Sequence, residues 1–318
     1  MGRDEFSLIR KIGFVLEAVV VIPLGKLIAL LLPWKIVRFM AVLLGLFLFH
    51  LSRKARERAG RNLDIIYSEK TLSSTEKERI IRRLFINIAS SAFEYLKIGN
   101  VTESSYLDFI RFEKPEAFFR AVHGEEGLIV VSAHLGNWEI LGSVAAKLGG
   151  NLGAVIHRQL NPFTDRWLRN IREKDGKIKC YYDEISDMRR MCSHLRSGGT
   201  LAILADERNA VRPVYVPFFG RPAATPDGPA RLHLLFGTPI AFCFSIKQDD
   251  GKYLLTFDGP YQFRKTGSMK KDCEYVMRQI YQKYEEVIRE HPDQWFSLLT
   301  PRWEKKDQKK ISKSGGVR

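Results

Sequence analysis

The chain has 318 residues, of which 45% are apolar, so it is long and apolar enough for one large α/β domain or two small ones, and a disordered chain is excluded. A net charge of +15 points to an acidic partner, such as anionic lipid, an acidic protein or nucleic acid. Cys180, Cys192, Cys243 and Cys273 form no CxxC pair, so neither a disulfide framework nor a structural zinc site is indicated.

Two apolar runs stand near the N-terminus. Residues 12–32 carry only Glu17 and Lys26 as charges, and a membrane-spanning helix needs roughly 20 apolar residues. The second run, residues 39–49, is shorter and suits an interfacial or re-entrant helix. Because basic residues at 53–61 follow, and Lys/Arg-rich flanks stay in the cytoplasm, we predict that residues 1–50 anchor the chain with its main domain inside. The alternative is a buried helical hairpin of a soluble fold.

The main domain, predicted at residues 51–303, alternates helical and strand patterns. Apolar residues at helical spacing over residues 79–96 predict an amphipathic helix. Strands are predicted at 127–133, 152–156, 200–205, 239–246 and 252–257, and further helices begin at Asn137 and Asn161 or cover 189–196, 227–236 and 268–289. This alternation predicts an α/β fold with a mostly parallel or mixed central sheet covered by helices. Residues 304–318 are predicted to form a solvated basic tail.

Two of the predicted strands end in residues that can carry acid–base chemistry. His134 follows strand 127–133, and Glu139 stands in the first turn of the next helix, where a carboxylate can orient an imidazole base. Asp206 and Glu207 follow strand 200–205 and should emerge at the same edge of the sheet, where ligands bind in open α/β folds. The sequence leaves open which of the three carboxylates contacts His134. A structural histidine and a loop-capping acidic pair are the alternatives.

Two further segments are candidates for substrate contact. Arg158, Asn161, Asp165, Arg166 and Arg169 form an arginine-rich group that suits phosphate or an acidic partner, although exposed arginines are common on helices. Residues 216–226 contain three prolines and a glycine, which predict a rigid turn. This turn is a candidate wall for an acyl chain, or an ordinary buried loop.

These blocks together resemble the bacterial lipid A biosynthesis acyltransferases, within the lysophospholipid acyltransferase superfamily. The resemblance rests on HLGNWE at 134–139, Arg158 with NPFTD at 161–165, Asp206-Glu207, and VPFFGRPAATPDGPARL at 216–232. It extends from about Leu46 to Trp303 and includes RERAGRNL at 56–63 and PDQW at 292–295. It implies a glycerolphosphate-acyltransferase-like fold at the inner membrane. It also implies transfer of a fatty acyl group from an acyl carrier protein thioester to a hydroxyl of an anionic glycolipid, a lipid A precursor.

The resemblance makes His134 the base and places Glu139, Arg158, Asp165, Asp206 and Arg221 at motif positions. The resemblance and the residue pattern together give the following expected roles. His134 is the expected base, and Glu139, Asp206 and Glu207 are the carboxylates expected in catalysis. The expected substrate-binding residues are Asn137, Arg158, Asn161, Asp165, Arg169, Arg221 and Thr225. The expected mechanism needs no metal or other cofactor, and backbone N–H groups near Gly136 or the Arg158 guanidinium are expected to stabilise the oxyanion.

Two departures from the family pattern leave the acceptor open. The chain has Asp206-Glu207 where the family often has Asp-Gln, and WFSLLTPRW at 295–303 lacks the usual histidine of the W-x-H-x-RW ending. Relatives that acylate other glycolipids, such as mannosylated phosphatidylinositol, share this trait. The E-G-T-R block of glycerol phosphate acyltransferases does not occur in the sequence. A non-catalytic membrane-bound lipid-binding protein is the alternative from another class, and the sequence has no nucleic-acid-binding motif.

Overall fold

A mixed seven-stranded sheet lies at the centre of the computed structural model, which describes residues 15, 17, 22–98, 109–124, 126–148, 150–174, 178–208 and 213–303. The strands of the sheet are β1 (Ile110–Phe112), β2 (Leu128–Ser132), β3 (Leu152–Ile156), β4 (Ile178–Tyr182), β5 (Thr200–Leu204), β8 (Ile240–Lys247) and β9 (Tyr253–Tyr261). Strands β6 (Val214–Phe218) and β7 (Arg221–Thr225) form a separate hairpin.

The order of strands in the sheet is β1-β9-β8-β2-β5-β3-β4. Strands β8, β2, β5, β3 and β4 run parallel, while β9 is antiparallel to β8. Parallel strands covered by helices on both faces are apolar along their whole length, and all five residues of β2 are buried. The predicted α/β fold with a mixed, helix-covered sheet is therefore confirmed.

Two strands of the sheet were not predicted from the sequence. β1 has only three residues. β4 has the sequence IKCYY with an exposed Lys179, and it follows the charged stretch REKDGK at 172–177. Neither segment contains the apolar run that identified the other strands, so their pairing depends on contacts with distant parts of the chain.

Ten α-helices have defined bounds within the described residues. They are α1 (Ile22–Leu31), α2 (Trp34–Leu51), α3 (Arg53–Ile66), α4 (Ser74–Ile98), α5 (Pro115–Val122), α6 (Trp138–Lys147), α7 (Pro162–Arg172), α8 (Ile185–Arg196), α9 (Gly228–Phe236) and α10 (Met269–Glu290). The buried apolar residues form two cores. Helices α3, α4 and α10 pack in the first core together with Trp295, and helices α5 and α6 pack in the second. The predicted cap of α6 is confirmed, since the Asn137 side chain accepts a hydrogen bond from the Ile140 N–H.

Helix α2 is longer than the 11-residue apolar run that the sequence suggested. It begins at Trp34 and includes Lys35 and Arg38. Arg38 is accommodated because its guanidinium donates to the Gly251 carbonyl oxygen at 3.1 Å. By length and composition α2 could cross a membrane, and it is a candidate membrane anchor. Of the first apolar run, residues 12–14, 16 and 18–21 lie outside the described residues, and residues 22–31 form helix α1.

Helix α2 has two apolar faces. Val37, Ala41, Gly45 and Phe49 form a buried face, with Phe49 edge-to-face on Phe85 of α4 at 5.9 Å. The helices cross very closely, since a Cβ atom on Gly45 would lie 2.6 Å from the Ile86 Cα atom. The opposite face of α2 exposes large apolar side chains, namely Ile36, Phe39, Leu43, Phe47 and Leu51. One face is therefore bound to the main domain, while the other is available to lipid.

The segment predicted as a rigid proline-rich turn is a β-hairpin. Its two-residue turn has positive φ angles at Phe219 (51°) and Gly220 (68°), which match the twist of the flanking strands. Pro217 stands opposite Pro222. In an antiparallel pair of strands, every second pair of opposite residues exchanges no backbone hydrogen bonds, so two prolines, which have no N–H, can occupy such a pair. The Phe218 side chain is buried in the core, so the hairpin does not present it to an acyl chain.

Candidate active site

His134 and Asp206 meet at the carboxyl edge of the central sheet. Strands β2 and β5 are adjacent and parallel, with Ser132 paired to Leu204, so the residues that follow them lie side by side. Asp206 Oδ1 accepts hydrogen bonds from the His134 ring Nδ1 at 2.7 Å and from the His134 backbone N–H at 3.0 Å. Of the three carboxylates that the sequence left open, Asp206 is the one hydrogen-bonded to the imidazole.

The Asp206 carboxylate is fully buried and held by four hydrogen bonds. Besides the two from His134, Oδ2 accepts one from the Trp295 indole N–H at 2.8 Å and one from the Ser297 hydroxyl at 2.9 Å. Burial by itself raises the pKa of this carboxyl group. The positive charge and hydrogen bond of His134, together with the other donors, outweigh burial and lower the pKa to about 2. Asp206 is therefore ionised throughout the physiological pH range.

The His134 ring lies between this carboxylate and an aromatic wall. Trp138 packs edge-on against the imidazole at 4.9 Å between ring centroids, and Phe296 packs against Trp138 at the same distance. Burial lowers the pKa of His134, but the charge and hydrogen bond of Asp206, with smaller contributions from Glu207 and Glu139, outweigh it and raise the pKa above 6.5. Because Asp206 holds Nδ1, Nε2 is the ring nitrogen left to take a proton.

The turn that carries His134 is fixed by its backbone. Gly136 has a φ of +64°, and a Cβ atom there would lie 1.6 Å from the Ser245 carbonyl oxygen, so only glycine fits. The Gly136 N–H donates to the Gln294 carbonyl at 2.9 Å, and the Asn137 N–H donates to the Ser245 carbonyl at 3.2 Å. The sequence suggested backbone N–H groups near Gly136 as oxyanion donors, and these two are already bonded to carbonyl oxygens.

Glu139 and Glu207 occupy positions unlike that of Asp206. Glu139 forms a two-pronged ion pair with Arg172 at the end of α7, with an Arg172 Nε to Glu139 Oε2 distance of 3.0 Å. Glu207 is 58% exposed, and its Oε1 lies 4.0 Å from His134 Nδ1. Glu139 therefore joins helix α6 to α7, whereas Glu207 lies at the rim and acts on the imidazole only through its charge.

The predicted arginine-rich group lies at the same edge of the sheet, beyond β3 and β4. Arg158 pairs with Glu184 at 2.9 Å, and its guanidinium lies 4.0 Å from the Tyr182 ring centroid. Arg169 pairs with Glu173 at 3.0 Å. Neighbouring carboxylates thus hold both cations in place. Asp206 follows β5, whereas the two arginines lie near the ends of β3 and β4, so they are at least one strand away from Asp206 in the sheet.

Four other residues of the predicted substrate-binding set are buried and hydrogen-bonded to nearby backbone. The bonds join Asn137 to the Ile140 N–H, Asn161 to the Phe163 N–H, Asp165 to the Gln159 N–H and Thr225 to the Val214 carbonyl. The structure does not bring these side chains together at His134. The seventh, Arg221, is exposed at the start of β7.

The partners that hold the carboxylates have no local signal in the sequence. Trp295 and Ser297 bind Asp206 across separations of 89 and 91 residues, and Arg172 binds Glu139 across 33. The PDQW motif marked Trp295 as a family position, but no local pattern indicates what its indole contacts. Among the described residues, no three His, Cys, Asp or Glu side chains are placed to hold a metal ion.

Breaking the Glu139–Arg172 pair is expected to affect stability more than chemistry. Glu139→Gln leaves the largely buried Arg172 guanidinium without its counter-charge, which is expected to cost about 3 kcal/mol of unfolding free energy. Thermal unfolding of the variant, with transfer activity measured per folded molecule, separates the two effects. Glu207→Gln is the matched exposed control and should leave the melting temperature unchanged. A large fall in activity without a loss of stability would contradict this structural role.

Comparison with known proteins identifies the family of the chain. The model of the family described as bacterial lipid A biosynthesis acyltransferase matches residues 9–305. The chain is 25% identical to lipid A biosynthesis acyltransferase 2 of Shigella flexneri over 259 residues, which cover 80% of each protein. It is 23% identical to a lipid A biosynthesis acyltransferase of Haemophilus influenzae over 260 residues, which cover 80% of this chain and 78% of the relative. The chain therefore belongs to the bacterial lipid A biosynthesis acyltransferase family and is an acyltransferase with a lipid acceptor.

Proposed function

We propose that this acyltransferase moves a fatty acyl group from an acyl carrier protein thioester to a hydroxyl of a lipid A precursor, producing a secondary acyl chain. The hydrogen bond between His134 Nδ1 and Asp206 is the observation that carries the proposal. It joins a buried carboxylate to a partly exposed imidazole at the edge of the sheet where ligands of open α/β folds bind.

In the proposed reaction, His134 acts as general base. Its Nε2 takes the proton of the acceptor hydroxyl as that oxygen attacks the thioester carbonyl carbon. The tetrahedral intermediate then expels the thiolate, which the imidazolium reprotonates, and an ester remains. Asp206 keeps Nδ1 protonated and stabilises the imidazolium, as in hydrolytic triads. Positioned proton transfer of this kind contributes roughly 100-fold to 10,000-fold to the rate.

Among the backbone N–H groups near Gly136, those of Trp138 and Glu139 are the candidates to stabilise the oxyanion. The Gly136 and Asn137 N–H groups are bonded to carbonyls, and Arg158 is paired with Glu184. Trp138 and Glu139 open helix α6 directly after this turn, and the first N–H groups of a helix have no carbonyl partner within it. We assign oxyanion stabilisation to these first-turn N–H groups.

The charge of the protein supports an anionic acceptor and an acidic carrier. The net charge of +15 includes Arg158 and Arg169 beyond the strand ends and five basic residues between positions 53 and 61. A basic surface attracts anionic lipid and steers an acidic protein toward it. The same basic residues, following the apolar N-terminal segment, support a position at the inner membrane with the catalytic domain on the cytoplasmic side.

Mass spectrometry of lipids tests the acceptor and the chemistry together. Cells that express the protein should contain lipid A heavier by one acyl group, and cells that express His134→Ala should not. If lipid A is unchanged while another glycolipid gains the chain, the acceptor is wrong and the acyltransferase chemistry stands. If the purified protein releases no thiol from acyl carrier protein thioester in the presence of lipid acceptor, the carrier donor is wrong.

A further inference from the structure

Four large apolar side chains lie exposed at the starts of helices α7 and α8. Leu160, Phe163, Ile185 and Met188, here called the tip patch, have exposed fractions between 44% and 90%, with Ile185 the most exposed. Single exposed apolar residues are normal on soluble proteins. Here four such residues lie at the starts of two helices that follow the adjacent strands β3 and β4, and a cluster of exposed apolar residues marks an interaction site.

The two segments of the tip patch are held together by strand pairing and by ion pairs. Ile156 and Tyr182 are partners at the ends of β3 and β4, and the Asp183 N–H donates to the Ile156 carbonyl at 3.0 Å. Arg158 and Glu184, which directly follow these strands, form the ion pair already described. The two segments of the tip patch are therefore fixed relative to each other.

The tip patch lies at the same edge of the sheet as His134. Strands β2, β5, β3 and β4 are parallel neighbours in that order, so their carboxyl ends point the same way. Strands in a sheet are about 4.8 Å apart, which places the ends of β3 and β4 about 10 and 14 Å from the end of β2. A lipid held at the tip patch can therefore reach the base.

The N-terminal apolar segment contacts the same region. The Glu17 carboxylate accepts hydrogen bonds from Asn161 Nδ2 at 2.9 Å and from the Thr164 hydroxyl at 2.8 Å, at the start of α7. Glu17 belongs to the apolar run at residues 12–32, and Val15, two residues earlier, is exposed. Glu17 of this apolar run thus lies at the start of α7, where Leu160 and Phe163 of the tip patch also lie.

We propose that the tip patch is a second membrane contact, whose side chains insert into the interfacial layer of an anionic bilayer. It holds the carboxyl edge of the sheet, and with it His134, against the bilayer that contains the lipid acceptor. Arg166 and Arg189 are exposed near the starts of the same two helices, where they would meet anionic headgroups. An acidic carrier protein is the less suitable occupant, because all four members of the patch are apolar. The inference requires a lipid acceptor but not lipid A in particular.

Depth-dependent fluorescence quenching tests this contact without any measurement of catalysis. The full-length protein carries Ile185→Cys labelled with a nitrobenzoxadiazole dye, in a Cys192→Ser background because the other three cysteines are buried. It is reconstituted in vesicles of phosphatidylcholine and phosphatidylglycerol that contain a 5-doxyl lipid. Leu235→Cys is the matched control, since Leu235 is 59% exposed but stands on α9, which leads into the opposite end of β8.

Quenching at position 185 and its absence at position 235 is the expected result. Equal fluorescence at position 185 with and without the doxyl lipid would overturn the proposal. If the dye fluorescence at position 185 changes on addition of acyl carrier protein but is not quenched by the doxyl lipid, the membrane contact is overturned in favour of carrier docking.

Activity in two lipid environments separates this contact from the catalytic proposal. Phe163→Glu combined with Ile185→Glu is expected to lower transfer to acceptor in vesicles roughly tenfold and to leave transfer to acceptor in detergent micelles unchanged. Leu235→Glu should alter neither. Equal losses in vesicles and micelles would overturn the membrane contact, whereas no transfer by the wild type in either medium would instead contradict the proposed function.

Discussion

Replacing His134 by alanine is expected to lower kcat/KM for acyl transfer by about 100-fold to 10,000-fold, because the reaction loses its general base. The fold should persist, since the backbone N–H and carbonyl of residue 134 keep their bonds to Asp206 and Phe296. Steady-state kinetics with a labelled acyl donor measures the loss, and circular dichroism with a thermal melt checks the fold.

His157 provides the matched control for this substitution. It follows β3 at the same edge of the sheet and contacts the Asp183 carboxylate at 3.2 Å, but its side chain is 77% exposed. His157→Ala should therefore leave transfer nearly unchanged. If His134→Ala retained transfer within tenfold of the wild type, His134 would not be the base.

The second large effect is expected from Asp206→Asn, which removes the buried charge and keeps the size of the side chain. Transfer should fall by roughly 1,000-fold or more, because an amide does not hold the imidazole in the required tautomer as a carboxylate does. The acidic limb of the profile of kcat/KM against pH should also move. In the wild type this limb reports the raised pKa of His134, so activity rises as the pH increases through a value above 6.5.

Without the anion, burial becomes the dominant influence and lowers the pKa of His134. The acidic limb of Asp206→Asn should therefore lie at a lower pH than that of the wild type. In Asp206→Asn, the amide NH2 group faces hydrogen-bond donors, which also disturbs the packing of the site. Ser297→Ala is therefore a milder companion variant, which removes one of the donors to Asp206 and keeps its charge. It should move the limb little and leave the protein folded. An unchanged limb in Asp206→Asn would show that Asp206 does not control the base.

The elements that form the site could be predicted because their signals are local. The run GLIVVSA and the cap at Asn137 identify β2 and the start of α6, and TLAIL identifies β5. Because parallel strands have their carboxyl ends at the same edge of a sheet, these elements predict that His134 lies near Asp206. The same reasoning failed for β4, where no apolar run is present and the neighbouring strand determines the structure.

The choice among carboxylates could not be made from the sequence. Glu139 is five residues from His134 along the chain, and Asp206 is 72 residues away. Distance along the chain therefore favours Glu139 as the partner of the imidazole, whereas the structure pairs the imidazole with Asp206. Arg172, which binds Glu139, and Trp295, which binds Asp206, decide the arrangement through contacts between distant segments. Hydrogen-bond partners of buried charges follow from the three-dimensional arrangement of elements rather than from spacing.

The close crossing of α2 and α4 affects how this protein can be prepared for study. Phe49 of α2 belongs to the same apolar core as Trp295. Asn87 of α4 donates a hydrogen bond to the carbonyl oxygen of Asp293, two residues before Trp295. A truncated chain beginning at residue 51 would leave Phe85 and its neighbours exposed to water, because helix α2 forms part of the core. A water-soluble version should instead retain α2 and exchange its outward Phe39, Leu43 and Phe47 for polar residues.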